Sequence, residues 1–199
     1  MEIESVDKSD FFRYSEVIIW CKEGVHMTLE AQEYYNIAAW LKEKVGYHDR
    51  AKLPSVKRRQ ILCGEVWYCD LGYNVGTEKN KTRPVLVVSN NRINRAEKVV
   101  VICITDARGK LNANHLPAQD SWFLLYSNTT DPNKMIYPGR LIPQQMCSYS
   151  FLDKDSMVQC EEIRAVSKAR FDMSRGCIGR LEPGDLALLK NKFRRAFDF

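Results

Sequence analysis

The sequence has no run of 18 or more apolar residues, so it offers no segment for a membrane-spanning helix. Its first ten residues have neither a basic start nor an apolar core, which argues against a signal peptide. Histidine is scarce, and the seven cysteines are never spaced as Cys-x-x-Cys; several of them lie in apolar runs, as small buried residues do. We therefore expect a cytoplasmic, reduced protein with no membrane association, metal site, disulfide framework or cofactor.

Charge is unevenly distributed along the 199 residues, whose net charge is +5. Residues 1–51 hold six Lys and Arg against ten Asp and Glu, a net −4, whereas residues 52–199 hold 24 against 15, a net +9. A basic body suits a polyanionic partner, because neutralised phosphates drive non-specific nucleic-acid binding. A solvated basic surface that only maintains solubility explains the same charge equally well.

The first sixty residues contain two apolar patterns with helical spacing, at residues 10–22 and 29–46, and Thr28 is suited to cap the second helix. Residues 47–60 are polar, basic and interrupted by proline, a composition typical of a linker. We therefore predict a helical N-terminal extension with its basic linker over residues 1–58, followed by the main domain over residues 59–199.

After residue 60 the pattern changes from helical to β. Residues 66–71 alternate as in a half-exposed strand, and residues 85–88 and 99–104 are β-branched runs typical of central strands. Further strand patterns occur at residues 122–126, 157–160 and 163–166. Ser167 is suited to cap a short helix to about residue 175, and Pro183 opens a last one. Strands first and helices after predict an α+β fold with a small, strongly bent antiparallel sheet.

No P-loop, GxSxG or HExxH motif is present, so the candidates for chemistry are single residues near strand ends. Arg83 stands at the start of one predicted strand beside a loop rich in Gly, Asn, Thr and Lys, where its fork of donors suits phosphate. Thr105 ends the next predicted strand and could donate a hydrogen bond to the same phosphate. Each residue taken alone has a simpler explanation. Arg83 would form a surface ion pair, and the Thr105 hydroxyl would bond the last backbone group of its strand.

The loop before Arg83 supplies further candidates. Glu78 could act as a base or contact a nucleobase, although an exposed loop carboxylate usually only faces solvent. Lys79 and Lys81 would attract phosphates, and the ring of Tyr73 could stack on a base. His115 is the one histidine of the basic body that could touch a substrate.

The sequence contains six blocks of residues that match one known family in residue type and in order. The most specific block reads RPVLVVSN from Arg83 to Asn90, close to that family's strand RPVLVISN. On these blocks the chain, over about residues 64–189, resembles the MazF/PemK toxins of type II toxin–antitoxin systems. The blocks are residues 64–71, 76–79, 83–90, 104–105, 156–164 and 167–181.

The resemblance implies an SH3-like small β-barrel with C-terminal helices, which forms a homodimer and cleaves single-stranded RNA at selected sequences without metal. It assigns Arg83 and Thr105 as the catalytic pair, with Glu78 in the substrate loop. Arginine stays protonated, so Arg83 would stabilise the phosphorane charge, while Glu78 is the better acceptor for the 2′-OH proton. The products would be a 2′,3′-cyclic phosphate and a 5′-OH. The residues expected to bind the substrate are Gly76, Thr77, Lys79, Lys81, Tyr73 and His115.

The same resemblance implies a cognate antitoxin protein similar to MazE, and contact with operator DNA only through the toxin–antitoxin complex. Two other functions stay open. CcdB-like toxins share the barrel but act without catalysis by binding gyrase, and a decayed relative would bind RNA weakly. The presence of both Arg83 and Thr105 favours the enzyme, because a protein-binding relative need not keep both.

Three departures from the family pattern limit these expectations. Cys103 stands where the family has proline, Ser167 stands where it has aspartate, and residues 106–155 form a longer segment than expected. The preferred RNA sequence therefore does not carry over. The N-terminal fifty residues have no counterpart in the short members. As an acidic segment they would either stabilise the domain or its dimer, or dock on the basic body and damp its activity.

Overall fold

The computed structural model describes residues 18–20, 26–28 and 31–198, and the chain divides into two compact units, Met1–Val45 and Gly46–Phe199. In the first unit, strands β1 (Ile18–Trp20) and β2 (His26–Thr28) pair antiparallel. The helix predicted over residues 10–22 is therefore wrong at residues 18–20, where two β-branched isoleucines favour a strand. The rest of that predicted helix lies outside the described residues.

Helix α1 (Ala31–Lys52) is longer than the sequence pattern predicts, because it continues past Gly46. Beyond that glycine, the Tyr47 hydroxyl donates a hydrogen bond to Asp70 Oδ2 at 2.7 Å. Such tertiary contacts offset the roughly 1 kcal/mol that a glycine inside a helix costs. A helical turn, α2 (Pro54–Lys57), follows, so much of the predicted linker is helical. No helix within the described ranges is long and apolar enough to cross a membrane.

The second unit is built on one seven-stranded sheet. Its strands are β3 (Glu65–Asp70), β4 (Thr82–Val87), β5 (Lys98–Asp106), β6 (Trp122–Ser127), β7 (Ser148–Tyr149), β8 (Ser156–Ser167) and β9 (Cys177–Arg180). Their order across the sheet is β7-β6-β8-β5-β4-β3-β9, and every pair is antiparallel except β6 with β7. The four strands predicted before residue 130 are confirmed, the next two predicted patterns form the single strand β8, and neither β7 nor β9 was predicted.

The sheet is strongly curled, as a half-barrel, and two of its ladders change register. The β5–β8 ladder shifts between Ile102 and Ile104, and the β3–β9 ladder shifts between Val66 and Trp67. Irregularities of this kind bend a strand and increase its twist. Helix α3 (Pro183–Ala196) follows the last strand and opens at the predicted proline. The α+β fold expected from the sequence is confirmed.

Both faces of the central strands are buried, which is why their sequences are continuous apolar runs. On one face Leu86 packs in a cluster that includes Leu189 of α3. The opposite face, which we call the Phe171 face, holds Val85, Cys103 and Phe171 in a second cluster. All five of these residues are almost fully buried. The position of a side chain along β4 or β5 therefore decides which of the two clusters it joins.

The short helix after Ser167 is capped as predicted but ends earlier. The Ser167 hydroxyl accepts a hydrogen bond from Ala169 N at 3.3 Å, and the helix is one 3-10 turn, Lys168–Arg170. Asp172 N then donates to the carbonyl of Tyr68 at 2.9 Å. This bond ties the chain to β3, and the sheet therefore ends the helix before residue 175.

All six cysteines within the described ranges are free thiols, and three of them are buried as small apolar residues, as predicted. Burial raises the pKa of the Cys69 thiol to about 12, and those of Cys103 and Cys160 to about 11. Thiols with such pKa values stay protonated at neutral pH, and these three cysteines are therefore expected to be unreactive.

We expect Gly179→Ala to destabilise the second unit, because β9 approaches an aromatic ring there. A Cβ added at Gly179 would lie 2.0 Å from Cδ1 of Phe151, which packs on the core. Overpacking of this kind costs about 1–3 kcal/mol. Gly184→Ala is the matched control, because a Cβ at Gly184 would meet nothing within 4 Å. Urea unfolding of both variants tests this, and equal midpoints would contradict it.

Candidate functional site

The loop that joins β3 to β4 has a fixed neck and an exposed tip. The Asn74 amide bridges the neck, with Nδ2 donating to the carbonyls of Leu71 at 3.1 Å and Lys79 at 2.7 Å. Asn80 Oδ1 accepts a hydrogen bond from Asn74 N at 2.7 Å. Residues 75–78 lie beyond these bonds and are exposed. The loop therefore presents its tip to solvent from a rigid base.

Arg83 is the second residue of β4 and is half-buried beside this loop. Its Nε donates a hydrogen bond to the carbonyl of Asn80 at 2.7 Å, which fixes the direction of the side chain. Within the described residues, no carboxylate pairs with Arg83 and no acceptor bonds its two Nη atoms. The simpler explanation of Arg83, a surface ion pair with a carboxylate, is therefore not met among these residues. Two parallel donors remain for a ligand.

Thr105 is the penultimate residue of β5, and the sheet register relates it to Arg83. The β4–β5 ladder pairs Val85 with Cys103. Continued by two residues beyond its last pair, the same antiparallel register would set Arg83 opposite Thr105. Side chains alternate along a strand, so both residues lie on the Phe171 face, at its margin. Thr105 is half-buried, and its hydroxyl makes no hydrogen bond to any described residue.

Asp106 follows Thr105, and three cationic side chains contact it at the end of β5. Its Oδ2 lies 2.7 Å from Arg108 Nη2 and 3.0 Å from Lys154 Nζ, while its carbonyl accepts a hydrogen bond from Lys110 Nζ at 2.6 Å. Burial alone would raise the pKa of Asp106, but the hydrogen bonds from Arg108 and Lys154 hold it well below its usual range. The carboxylate is therefore ionised and keeps these cations beside Thr105.

Four positive side chains form what we call the basic cluster: Lys79, Arg83, Lys110 and Lys154. Burial lowers the pKa of Lys110; the charge of Asp106 opposes this, while the positive charges of Lys79, Lys154 and Arg83 add to it. Sequence reasoning missed Lys110 and Lys154. Lys110 lies only five residues after Thr105, so the basic loop after that strand was an available signal. Nothing in the sequence connects Lys154 to Arg83, because their proximity depends on how β8 pairs with β5.

Lys79 docks the β3–β4 loop on the sheet. Its Nζ lies 3.6 Å from Glu162 Oε1 of β8, and each side chain is about one-fifth exposed, at 21% and 20%. The charges of Glu162, Arg83 and Lys79 all act on the Cys103 thiol, two residues before Thr105. The loop, β4, β5 and β8 therefore meet at one place. A phosphate would compete with Glu162 for Lys79.

The structure places the other predicted loop residues as follows. Gly76, Thr77 and Glu78 form the exposed tip, where Gly76 has a φ of +59° that favours glycine. Lys81 is exposed at the neck, and Tyr73 is half-buried. Glu78 forms no ion pair with any described residue. The roles predicted for these five residues stay predictions.

His115 lies apart from the basic cluster in its described contacts. It is exposed, and its ring lies 4.2 Å from that of Tyr137, centre to centre. It lines a groove of about 370 Å³ together with Tyr126 and Leu188 of α3. No described contact joins His115 to Arg83 or Thr105, and its predicted part in substrate binding stays a prediction.

No group of three or more His, Cys, Asp and Glu side chains that could hold a metal ion occurs among the described residues. The donors at the site are instead nitrogen cations and one hydroxyl. Such groups bind anions, and phosphate suits the paired Nη atoms of an arginine. This arrangement therefore suits a phosphate.

Comparison with known proteins shows the family to which the chain belongs. Residues 62–197, more than half of the chain, match the model of the PemK-like, MazF-like toxins of type II toxin–antitoxin systems. No curated protein sequence matches the chain. A crystal structure of MazF from Deinococcus radiodurans is 14% identical, with a TM-score of 0.47, and the match covers 71% of this chain and 99% of that one. The toxin MazF-mt6 of Mycobacterium tuberculosis is 15% identical, with a TM-score of 0.43 and coverages of 68% and 97%. The chain belongs to the PemK-like, MazF-like toxin family of type II toxin–antitoxin systems.

Proposed function

We propose that this toxin is an endoribonuclease that cleaves single-stranded RNA at selected sequences without a metal ion. The observation that carries the proposal is the Arg83 guanidinium, whose Nη atoms have no partner among the described residues, in the basic cluster beside the end of β5 where Thr105 stands. Family membership supports the same reaction, since toxins of this family are generally endoribonucleases. Growth arrest in the cytoplasm would follow from the loss of RNA.

The proposed reaction is attack by a ribose 2′-OH on the adjacent phosphate. The 2′-oxygen forms a bond to phosphorus while the bond to the 5′-oxygen breaks, and the leaving 5′-oxygen takes a proton from solvent water. The products are therefore a 2′,3′-cyclic phosphate and a 5′-OH. Negative charge grows on the non-bridging oxygens, where the Nη atoms of Arg83 and the hydroxyl of Thr105 donate hydrogen bonds. Arg83 stays protonated and cannot be the base. Glu78, on the exposed loop tip, accepts the 2′-OH proton.

The remaining groups of the site bind and unstack the substrate. Lys110 and Lys154 attract neighbouring phosphates, and Lys79 joins them when RNA displaces Glu162. The loop residues Gly76, Thr77 and Lys81, with the ring of Tyr73, hold an unpaired base, which favours single strands over duplex RNA. His115, whose groove adjoins α3, contacts a more distant part of the strand.

A cognate antitoxin protein similar to MazE completes the proposed system. The toxin acts as a homodimer and reaches operator DNA only as part of the toxin–antitoxin complex. The acidic residues 1–51 stabilise the domain or its dimer in this proposal. Damping of activity in cis is the competing role, and removing residues 1–58 distinguishes the two. Unchanged cleavage by a folded truncated chain would exclude the damping role.

The proposed function is tested by incubating the purified chain with a long defined single-stranded RNA in the presence of EDTA and mapping the cut ends. We expect discrete cuts that leave cyclic phosphate and 5′-OH ends, with a shared sequence around them. Dependence of cutting on added metal would contradict the mechanism. No cutting by either the full chain or one that begins near residue 60 would favour the non-catalytic alternative, a toxin that binds a protein target such as gyrase.

A further inference from the structure

A basic cavity lies in the same unit as the candidate site but shares no residue with it. It has a volume of about 410 Å³, and the described residues that line it include no acidic or aromatic one. Its walls come from α2 and the segment after it, from the loop after β4, and from the start of the 3-10 turn at residue 168. Six positive side chains line it: Lys57, Arg58, Arg59, Arg92, Arg95 and Lys168.

Most of this charge has no partner among the described residues. Lys57 Nζ lies 2.9 Å from Glu97 Oε1, so that one cation is neutralised. Within the described ranges, four further cations of the cavity form no ion pair. They are Arg58, Arg59, Arg92 and Arg95. Like charges gathered in one cavity repel each other, and an anion between them removes that repulsion.

Lys168 places a buried positive charge in the wall of this cavity. The residue is 2% exposed, and its Nζ donates to the carbonyls of Arg59 at 2.8 Å and Lys57 at 3.4 Å. Burial lowers the pKa of Lys168. The two carbonyls account for two of its three donors but bring no negative charge. Its structural task is thus to hold the end of α2, and its charge adds to the attraction for an anion.

The cavity lies at the opposite end of β4 from Arg83. Its loop residues follow the last residue of the strand, whereas Arg83 is near the first. Six residues of strand span about 20 Å. Residues 57–61 of the cavity precede the segment that matches the toxin family. The cavity therefore cannot take part in the cleavage step, and part of its wall lies outside the family match.

We infer that this cavity is a second phosphate site, which binds the backbone of the RNA strand beyond the cleaved bond. The inference rests on the proposed function, because it takes RNA as the substrate. Arginine forks suit phosphate, and the lack of an aromatic lining leaves no surface on which a base could stack. The contact therefore carries no sequence information but extends the length of RNA that the protein holds.

The test measures how the full chain binds a long, labelled 2′-O-methyl single strand over a series of NaCl concentrations. This strand keeps its phosphates but lacks the attacking hydroxyl, so binding is measured without cleavage. We compare Arg92→Ala/Arg95→Ala with Lys190→Ala/Arg194→Ala, which removes the same charge from exposed positions of α3. For two lost phosphate contacts, the slope of log K against log salt should fall by about 1.4, and affinity on the order of tenfold.

The control variant Lys190→Ala/Arg194→Ala should change neither the salt slope nor the affinity appreciably. The effect of Arg92→Ala/Arg95→Ala should be the same for unrelated RNA sequences. Equal effects of the two double variants would overturn the inference while leaving the cleavage site intact. In a second arm, inorganic phosphate and ATP are added and the melting temperature is followed. One result would show a site for a small phosphorylated ligand and would also overturn the inference. In it, phosphate or ATP stabilises the wild type but not Arg92→Ala/Arg95→Ala, and the variant binds RNA as tightly as the wild type.

Discussion

Arg83→Ala is expected to lower the single-turnover rate of RNA cleavage by roughly 10²–10³-fold, the usual effect of removing one donor to a developing oxyanion. The reason is geometric. The Nε of Arg83 is anchored on the carbonyl of Asn80, and its Nη atoms have no protein partner in the described part of the chain. Removing them takes away transition-state contacts without breaking an ion pair. Cleavage is measured with a defined RNA and EDTA present.

Three companion variants sharpen this prediction. Arg83→Lys keeps the charge but loses the fork, so we expect an intermediate rate. Thr105→Val keeps the shape of the side chain and removes its hydroxyl. We expect it to lower the cleavage rate by less than Arg83→Ala does. Arg194→Ala, on the exposed side of α3, is the charge control and should cut normally. Wild-type cleavage by Arg83→Ala would remove Arg83 from the mechanism.

Asp155→Ala is expected to destabilise the protein by about 3–5 kcal/mol, because it breaks a buried ion pair. Asp155 is fully buried, and its Oδ2 lies 2.7 Å from Arg140 Nε, without the angle of a hydrogen bond. It also accepts hydrogen bonds from Ser127 N at 2.8 Å and from Ile136 N at 3.0 Å. The substitution would leave the buried Arg140 cation without its counter-charge and two amides without acceptors. For a chain of this size the melting temperature should fall by roughly 10 °C.

The control for this prediction lies two residues away. Asp153 pairs with Lys134 at 2.7 Å, but its side chain is 74% exposed. Exposed pairs contribute at most about 1 kcal/mol, so Asp153→Ala should unfold at nearly the wild-type urea concentration. Equal midpoints for the two variants would refute the structural role of the buried pair. The carbonyl of Asp155 also accepts a hydrogen bond from Ala107 N at 3.1 Å, next to the end of β5. Disorder around residue 155 should therefore extend to Thr105 and reduce cleavage.

The strands near the site were predictable because their sequences carry a strong local signal. The β-branched runs within β4 and β5 favour strands wherever they lie, and two-sided burial leaves no polar position to blur the pattern. The strand β9 was missed for the opposite reason. It is four residues long, contains Gly179, and is only partly buried, so no alternation marks it.

The errors lie where tertiary contacts override local preference. Gly46 is a reasonable helix end by sequence, yet α1 continues because Tyr47 bonds Asp70, which is distant in the chain. Likewise, β8 carries the polar pair Glu161–Glu162 in its middle and was read as two strands. It is continuous because the β5–β8 ladder shifts its register there, and Glu162 is then free to pair with Lys79.

The sequence by itself determined the fold class, the four strands before residue 130, and, through the family blocks, the choice of Arg83 and Thr105. These features depend on residue types and on short spacings, which are local. Only the tertiary structure decided that Lys110 and Lys154 join Arg83, that Lys79 is held by Glu162, and that a basic cavity forms at the far end of β4. Each of these depends on strand order and register, which bring together residues that are remote along the chain.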